Sequence, residues 1–185
     1  SAEGNGQEVT NRWRRGSYDQ NRLAYPASCV KLTYMVSAVQ WCLSQQMKFN
    51  CLDQHVRPMI MVSSNLETGV VVDYVSGAPN LAHHQTADST FYQWLSKRNY
   101  TQDWMMRRGL LEEQVVWHKT YPTNSGVLLD AEGLAREMFG DNLMNTKCTA
   151  SLMAEIVSGQ LFPEARQYFL DMLYHPLDNG YTTYG

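Results

Sequence analysis

Residues 25–43 read YPASCVKLTYMVSAVQWCL, and this stretch decides the fold of the chain. Apolar side chains occur at nearly every turn, and Pro26 is a typical residue at a helix start. The pattern predicts one long helix over residues 27–47 that is buried on most sides. Ser28 and Lys31 lie at the front of this helix, and their side chains share a face because they are three residues apart.

Ser28 and Lys31 also form a pair that can carry chemistry. Burial disfavours the charged ammonium and so lowers the pKa of a lysine. A desolvated lysine beside a serine can activate the hydroxyl as a nucleophile. The alternative is an ordinary helix start, because a serine and a lysine at this spacing occur by chance in many proteins.

The composition limits the class of protein. A length of 185 residues fits one domain or slightly more, and 44% hydrophobic against 18% charged residues allows a substantial core. The formal net charge of -3 gives no basic footprint, so we predict no nucleic-acid partner. No uninterrupted apolar stretch reaches about 18 residues, so we also predict no membrane span.

The predicted organisation is an irregular N-terminal segment (1–24), a helical region (25–175) and a C-terminal tail (176–185). Because alternating strand patterns are almost absent, the fold class is mainly α. Cap and stop residues predict further helices. These are a short helix ending near Met61, then Leu66–Ser76, helices starting at Asp88 and Thr101, Asp130–Phe139, one from Thr146 or Thr149 to Gly159, and one from Pro163. Residues 115–117 are predicted to be extended, and residues 122–126 to form a turn.

A second polar motif, Ser63-Ser64-Asn65, follows an apolar run. Two hydroxyls and one amide on a loop can relay a proton and bind a substrate amide. The competing interpretation is a helix cap formed by Ser64 or Asn65.

Together the two motifs resemble the class A-like serine β-lactamase and penicillin-binding serine hydrolase superfamily, in its β-lactamase-related branch. The order is S-x-x-K on a buried helix and then S-x-N on a loop before a helix. The matching segments are residues 25–32 (YPASCVKL), 59–69 (MIMVSSNLETG), 72–77 (VDYVSG), 117–121 (WHKTY) and 145–152 (NTKCTASL). The resemblance covers roughly residues 20–175 and implies the helical part of that superfamily's α/β fold.

The resemblance implies a hydrolase that forms an acyl-enzyme on a small-molecule or peptide-like amide or ester, including a β-lactam. Ser28 would be the nucleophile, Lys31 its general base, Ser63 a proton shuttle and Asn65 a substrate contact. The backbone N–H of Ser28 would supply half an oxyanion hole. The same resemblance implies a secreted or periplasmic location and no cofactor.

The sequence also departs from that superfamily. A K-S/T-G strand motif is missing, since Lys119-Thr120 is followed by Tyr121 and residues 183–185 have no lysine. Its deacylating glutamate, in an E-x-x-x-N loop, has no clear counterpart, with Glu112 and Glu113 the nearest candidates. We therefore expect a companion chain or a further segment to supply the sheet. Two alternatives stay open: an inactive binding or assembly module on the same scaffold, and an unrelated helical domain.

The four cysteines show no C-x-x-C spacing, and we predict no metal site. Cys29 and Cys42 are predicted to be small core residues. A disulfide between Cys42 and Cys51 and free thiols are equally compatible with the sequence. His83-His84 with Asp88 is interpreted as a surface loop, because it lacks the further ligand that a catalytic zinc needs.

Overall fold

The structure is a computed structural model that describes residues 18–112 and 130–174. Several predictions lie outside these ranges: most of the segment 1–24, the extended piece at 115–117, the turn at 122–126 and the tail 176–185. Glu113 and the segment 117–121 also lie outside them.

The described residues are mainly α-helical, as predicted. None of them forms a β-strand; two isolated bridges, Ala24 with Met144 and Ala82 with Asp130, are the extended pairings among them. The helices are α1 (Lys31–Ser44), α2 (Asp53–Met61), α3 (Asn65–Ser76), α4 (Ser89–Arg98), α5 (Tyr100–Arg107), α6 (Ala131–Phe139), α7 (Thr146–Ser158) and α8 (Arg166–Leu173). Short 3-10 turns, Ala27–Val30 and Pro163–Ala165, lead into α1 and α8.

Helix α1 is the centre of the main core. Its side chains are buried along most of its length, and α2, α3 and α5 pack around it. The predicted single helix over residues 27–47 is wrong at both ends. Its first four residues form a 3-10 turn, and the helix stops at Ser44, before Gln46 adopts a left-handed φ of 58°.

A disulfide joins the last turn of α1 to the chain just before α2. Cys42 and Cys51 are bridged with their Cα atoms 5.9 Å apart, which decides between the two states that the sequence left open. Cys42 is fully buried, as predicted. Cys29 is exposed, so its predicted place in the core is wrong, because it lies on the solvent side of the 3-10 turn.

Removing this disulfide is expected to destabilise the fold. Cys51→Ser opens a loop with a sequence separation of 9 residues. Closing a loop of about that size contributes about 2–3 kcal/mol in the chain-entropy description. Chemical denaturation should show a free energy of unfolding lower by that amount, whereas Cys29→Ser, at an exposed free thiol, should leave it unchanged. Equal stabilities of the oxidised protein and Cys51→Ser would contradict the prediction.

Local capping signals explain the boundaries of α3 and α4. The Ser64 hydroxyl accepts a hydrogen bond from the N–H of Glu67 at 3.3 Å, so α3 starts one residue earlier than predicted. Gly77 ends it with a left-handed φ of 60°, which glycine adopts without steric cost. Asp88 caps α4 as predicted, accepting from the N–H of Phe91 at 3.0 Å.

A buried arginine connects helices α3, α4 and α6. The Arg98 side chain is fully buried, and its Nη2 atom lies 2.8 Å from Asp73 and 2.9 Å from Glu132. Its guanidinium also lies 5.2 Å from the ring centre of Trp94, within the range of a cation–π contact. Burial raises the pKa of Asp73, and the nearby Arg98 charge opposes that shift. This cluster was not predicted from the sequence.

Candidate active site

The structure brings the four predicted site residues into one hydrogen-bonded group. The Ser63 hydroxyl lies 2.8 Å from the Ser28 Oγ atom. The Lys31 Nζ atom lies 3.0 Å from the Ser63 Oγ atom, 2.6 Å from the Ser63 carbonyl oxygen and 2.8 Å from Asn65 Oδ1. A continuous path of polar atoms therefore runs from Ser28 through Ser63 to Lys31.

Three helices position these side chains. Ser28 lies on the turn before α1, and Lys31 is the first residue of α1. Ser63 lies in the short link between α2 and α3, and Asn65 is the first residue of α3. The two helices on either side of this link are also joined directly, because His55 Nδ1 on α2 lies 2.6 Å from Glu67 Oε2 on α3.

The members of the motif Ser63-Ser64-Asn65 divide between a helix cap and hydrogen bonds to Lys31. Ser64 is the helix cap. Ser63 and Asn65, on either side of it, direct oxygen atoms at Lys31. The cap fixes where α3 begins, and this in turn fixes the position of Asn65 beneath the amine.

The Lys31 amine is in an environment that disfavours its charge. The residue is 2% exposed, and burial lowers the pKa of Lys31 to about 8. The Ser63 carbonyl, the Ser63 hydroxyl and Asn65 Oδ1 are uncharged oxygens, which stabilise an ammonium less than a carboxylate would. At pH 7 about a tenth of the molecules therefore carry a neutral amine that can accept a proton, and this fraction rises with pH.

Two residues at the site have unusual backbone conformations. Ser63 has a φ of 56° and Ala27, directly before Ser28, has a φ of 47°. Residues other than glycine adopt left-handed conformations rarely, at a cost of about 1–3 kcal/mol, and such residues concentrate at functional sites. The conformation at Ser63 lets its hydroxyl and its carbonyl oxygen both face Lys31.

The hydrogen-bond chemistry defines a direction for proton movement. The Ser63 carbonyl oxygen and Asn65 Oδ1 can only accept hydrogen bonds from Lys31. The Ser63 hydroxyl can accept from an ammonium or donate to a neutral amine. When Lys31 is neutral, Ser63 can donate to it and accept from Ser28; when Lys31 is charged, both bonds reverse. This arrangement would allow one proton to pass from Ser28 through Ser63 to a neutral Lys31.

Ser28, Lys31 and Ser63 lie on the wall of a cleft of about 210 Å³. The rest of that wall is apolar or weakly polar: Cys29, Leu32, Met59, Ile60 and Leu173. From the sequence, Met59 and Ile60 belonged to the apolar run before Ser63 and were not predicted to line a site. Leu32 could have been found, because it lies one helical turn after Ser28, but nothing local indicated Leu173.

Glu112, considered as a deacylating base, has other partners. Its carboxylate forms an ion pair with Lys147 and lies 3.4 Å from the Asn145 side-chain amide. The hydrogen bond from Lys147 lowers the pKa of Glu112. Among the described residues, Glu112 thus makes a salt bridge to α7 and is not part of the hydrogen-bonded group at Ser28.

The histidine pair also has a local explanation. His84 Nε2 lies 3.2 Å from Asp88 Oδ1, within the loop that leads into α4. Over residues 18–112 and 130–174, no three His, Cys, Asp or Glu side chains are grouped so that they could hold a metal ion. In the same ranges, no helix is both long enough and apolar enough to cross a membrane.

Comparison with curated proteins gives one match. The chain is 30% identical over 175 residues to golvesin from Dictyostelium discoideum. The alignment takes in 94% of this chain but only 30% of golvesin, so the chain spans less than a third of that protein. No family model matches the sequence. No solved structure matches it either.

These comparisons overturn the predicted membership of the serine β-lactamase and penicillin-binding superfamily. Nearly the whole chain aligns with golvesin, and nothing in the comparisons supports that superfamily. Short motifs such as S-x-x-K and S-x-N can arise on unrelated chains, so the inference from them was wrong. The expected companion sheet depended on the same resemblance and loses its basis. The geometry around Ser28 does not depend on it.

Proposed function

We propose that the protein is a serine hydrolase that cleaves an amide or ester through an acyl-enzyme on Ser28. One observation carries the proposal: the hydrogen-bonded path from the Ser28 hydroxyl through Ser63 to the buried amine of Lys31. A nucleophile in reach of a base that is itself held by further groups is the usual arrangement for covalent catalysis.

In the first half-reaction the Ser28 Oγ atom attacks the carbonyl carbon of the substrate. Its proton passes to the Ser63 hydroxyl, and the Ser63 proton passes to the neutral Lys31 amine. The tetrahedral intermediate then breaks its bond to the leaving nitrogen or oxygen. That atom takes a proton from Ser63, which is replenished from the Lys31 ammonium. Lys31 is neutral again and Ser28 carries the acyl group.

In the second half-reaction a water molecule attacks the acyl carbon and loses its proton along the same path to Lys31. The carboxylic acid leaves, and the Ser28 oxygen regains its proton through Ser63. One base thus serves both halves, so no separate glutamate is required. Asn65 holds the lysine through Oδ1, which leaves its amide nitrogen to donate to the substrate.

Labelling of the nucleophile tests the proposal. The folded protein is treated at pH 8.5 with a fluorophosphonate or, separately, with a penicillin as an activated amide, and the adduct is located by peptide mass spectrometry. We expect one adduct, on Ser28, that is lost in Ser28→Ala and kept in Ser44→Ala, where the serine is exposed at the end of α1. A folded chain that gives no adduct, or one that Ser28→Ala does not remove, would argue for a binding module instead.

The rate should depend on pH through Lys31. Because the pKa of Lys31 is about 8, only about a tenth of the molecules carry the neutral base at pH 7. We expect kcat/KM for an ester to rise about tenfold per pH unit up to pH 7 and to level off above pH 8.5. A flat profile between pH 6 and 9, after correction for spontaneous hydrolysis, is incompatible with this role of Lys31.

The same titration should be visible in stability, without any substrate. The pKa of Lys31 falls from 10.5 to about 8 on folding, so between these values the unfolded chain binds more protons. The free energy of unfolding should therefore rise with pH across that window, and Lys31→Met should remove this part of the rise. This stability measurement tests the pKa of Lys31 even if the proposed substrate class is wrong.

The disulfide also supports a proposal about the compartment in which the protein is found. Disulfides persist in oxidising compartments and are rare in the reducing cytosol. The bridge between Cys42 and Cys51 therefore favours a secreted or otherwise oxidising location for this part of the protein.

A further inference from the structure

The cleft beside Ser28 has a polar side and an apolar side. The polar side consists of Ser28, Lys31 and Ser63. The apolar side consists of Leu32 from α1, Met59 and Ile60 from α2, and Leu173 from α8. Helix α8 packs against α2, and this contact brings Leu173 to the cleft.

We infer that this cleft binds the acyl part of the substrate and that this part is an uncharged aliphatic chain. The inference rests on the proposed function, because it takes Ser28 as the atom that carries the acyl group. Leu32 lies four residues after Ser28 and on the same face, so the apolar wall begins one helical turn from the nucleophile. The leaving group departs toward its proton donor, Ser63, and the acyl chain stays on Ser28 next to this wall.

The charge of the lining excludes an ionised acyl chain. Among the described residues of the wall, Lys31 is the one that can carry a positive charge, and its amine is directed at Ser63 and Asn65. A carboxylate buried against Leu32, Ile60 and Leu173 would have no partner, which is costly in an apolar site. Methylene groups, in contrast, gain about 0.8 kcal/mol each on burial, equivalent to about fourfold in binding.

The size of the cleft limits the length of the chain. A volume of about 210 Å³ is below the range of about 300–1,000 Å³ that is usual for a whole drug-sized ligand, so the cleft takes one part of the substrate. This volume is about that of seven water molecules in liquid water. A water molecule and a methylene group have nearly the same volume. We therefore expect a chain of about four to eight carbons to fill it.

A series of p-nitrophenyl esters tests the inference, with acetate, butyrate, hexanoate and dodecanoate as acyl groups. From acetate to hexanoate, kcat/KM should rise about three- to fourfold per methylene group, and dodecanoate should bring no further gain. A second series keeps the acetyl group and lengthens an alkyl chain on the phenol. A flat acyl series, a steeper dependence on the phenol chain, or faster cleavage of the succinate monoester would each overturn the inference.

Leu173→Trp provides a structural check, because the larger side chain fills the cleft. The ratio of kcat/KM for the hexanoate ester to that for the acetate ester should fall about tenfold or more, as expected when about two buried methylene groups are excluded. Leu43→Trp is the matched control, since Leu43 is also half-buried but lies at the far end of α1 and does not line the cleft. Should Leu173→Trp fail to fold, Ile60→Ala is the second variant, and it should shift the preference to longer chains.

Labelling with a small fluorophosphonate, run on the same preparation, separates the two possible failures. A Ser28 adduct together with a flat acyl series would refute the acyl pocket and leave the hydrolase proposal standing. No adduct and no turnover of any ester would refute the hydrolase proposal itself.

Discussion

Replacing Lys31 by methionine is expected to lower kcat/KM for ester hydrolysis at pH 8 by about 10²- to 10⁴-fold, the usual contribution of a positioned general base. Methionine has a similar length and suits the buried position, but it cannot take the proton that Ser63 passes on. Lys31→Arg should be equally inactive, because an arginine stays protonated in proteins. Steady-state kinetics with the best ester of the acyl series would measure the effect.

The control for this prediction is Lys48→Met, at an exposed lysine beyond the end of α1, which should keep the full rate. A loss of structure in Lys31→Met must be excluded by circular dichroism and thermal melting. The variant leaves the Ser63 carbonyl and Asn65 Oδ1 without the amine that donates to them, which lowers the free energy of unfolding by about 1–3 kcal/mol. It also removes the buried amine, whose desolvation is itself unfavourable. A folded Lys31→Met enzyme with the activity of the natural sequence would show that Lys31 is not the base.

Replacing Arg98 by leucine is expected to have the largest effect on stability, a loss of about 3–5 kcal/mol in the free energy of unfolding. Arg98 has no exposed side-chain surface, and it is the cation that faces both Asp73 and Glu132. Its removal leaves Glu132, which is 6% exposed at its side chain, as a buried carboxylate without that partner. Urea denaturation followed by tryptophan fluorescence would give the value.

A double variant and a control at an exposed ion pair test the reason for this loss of stability. Arg98→Leu combined with Glu132→Leu should recover a large part of the loss, because the buried carboxylate that faced Arg98 is then gone. Arg57→Met removes an exposed pair with Asp53 and should change stability by less than about 1 kcal/mol. If Arg98→Leu costs no more than Arg57→Met, the arginine is not what holds α3, α4 and α6 together.

Sequence reasoning succeeded where the signal is local. Ser64, Asp88 and Gly77 act through bonds to residues within one turn, so their positions fix helix boundaries directly. Prediction from the sequence failed where the structural feature depends on tertiary contacts. The end of α1 and the exposure of Cys29 depend on how the chain turns and packs, which hydrophobic periodicity does not contain.

The same distinction applies to the site. The spacing of Ser28 and Lys31 placed them on one face, and the second motif supplied Ser63 and Asn65 as further candidates. The structure brings both of these residues to Lys31 although they lie more than 30 residues later in the chain. Leu173 and the Arg98 cluster could not be predicted, since each depends on which helices become neighbours. The attribution to a superfamily failed for another reason: a few polar residues specify a local chemistry, and they do not specify the ancestry of the chain that carries them.

The disulfide has a mechanical consequence for the site. Helices α1 and α2 run antiparallel, with the bond between Cys42 and Cys51 at one end and the contact between Lys31 and Ser63 at the other. Lys31 lies 11 residues from Cys42, about 16 Å along the helix, so a swing of about 4° at the bond moves the amine by about 1 Å. Displacements of about 1 Å can cost about a hundredfold in rate. The bond thus holds the two helices together at the end opposite the proton path, and it restricts the small rotations that would separate Lys31 from Ser63.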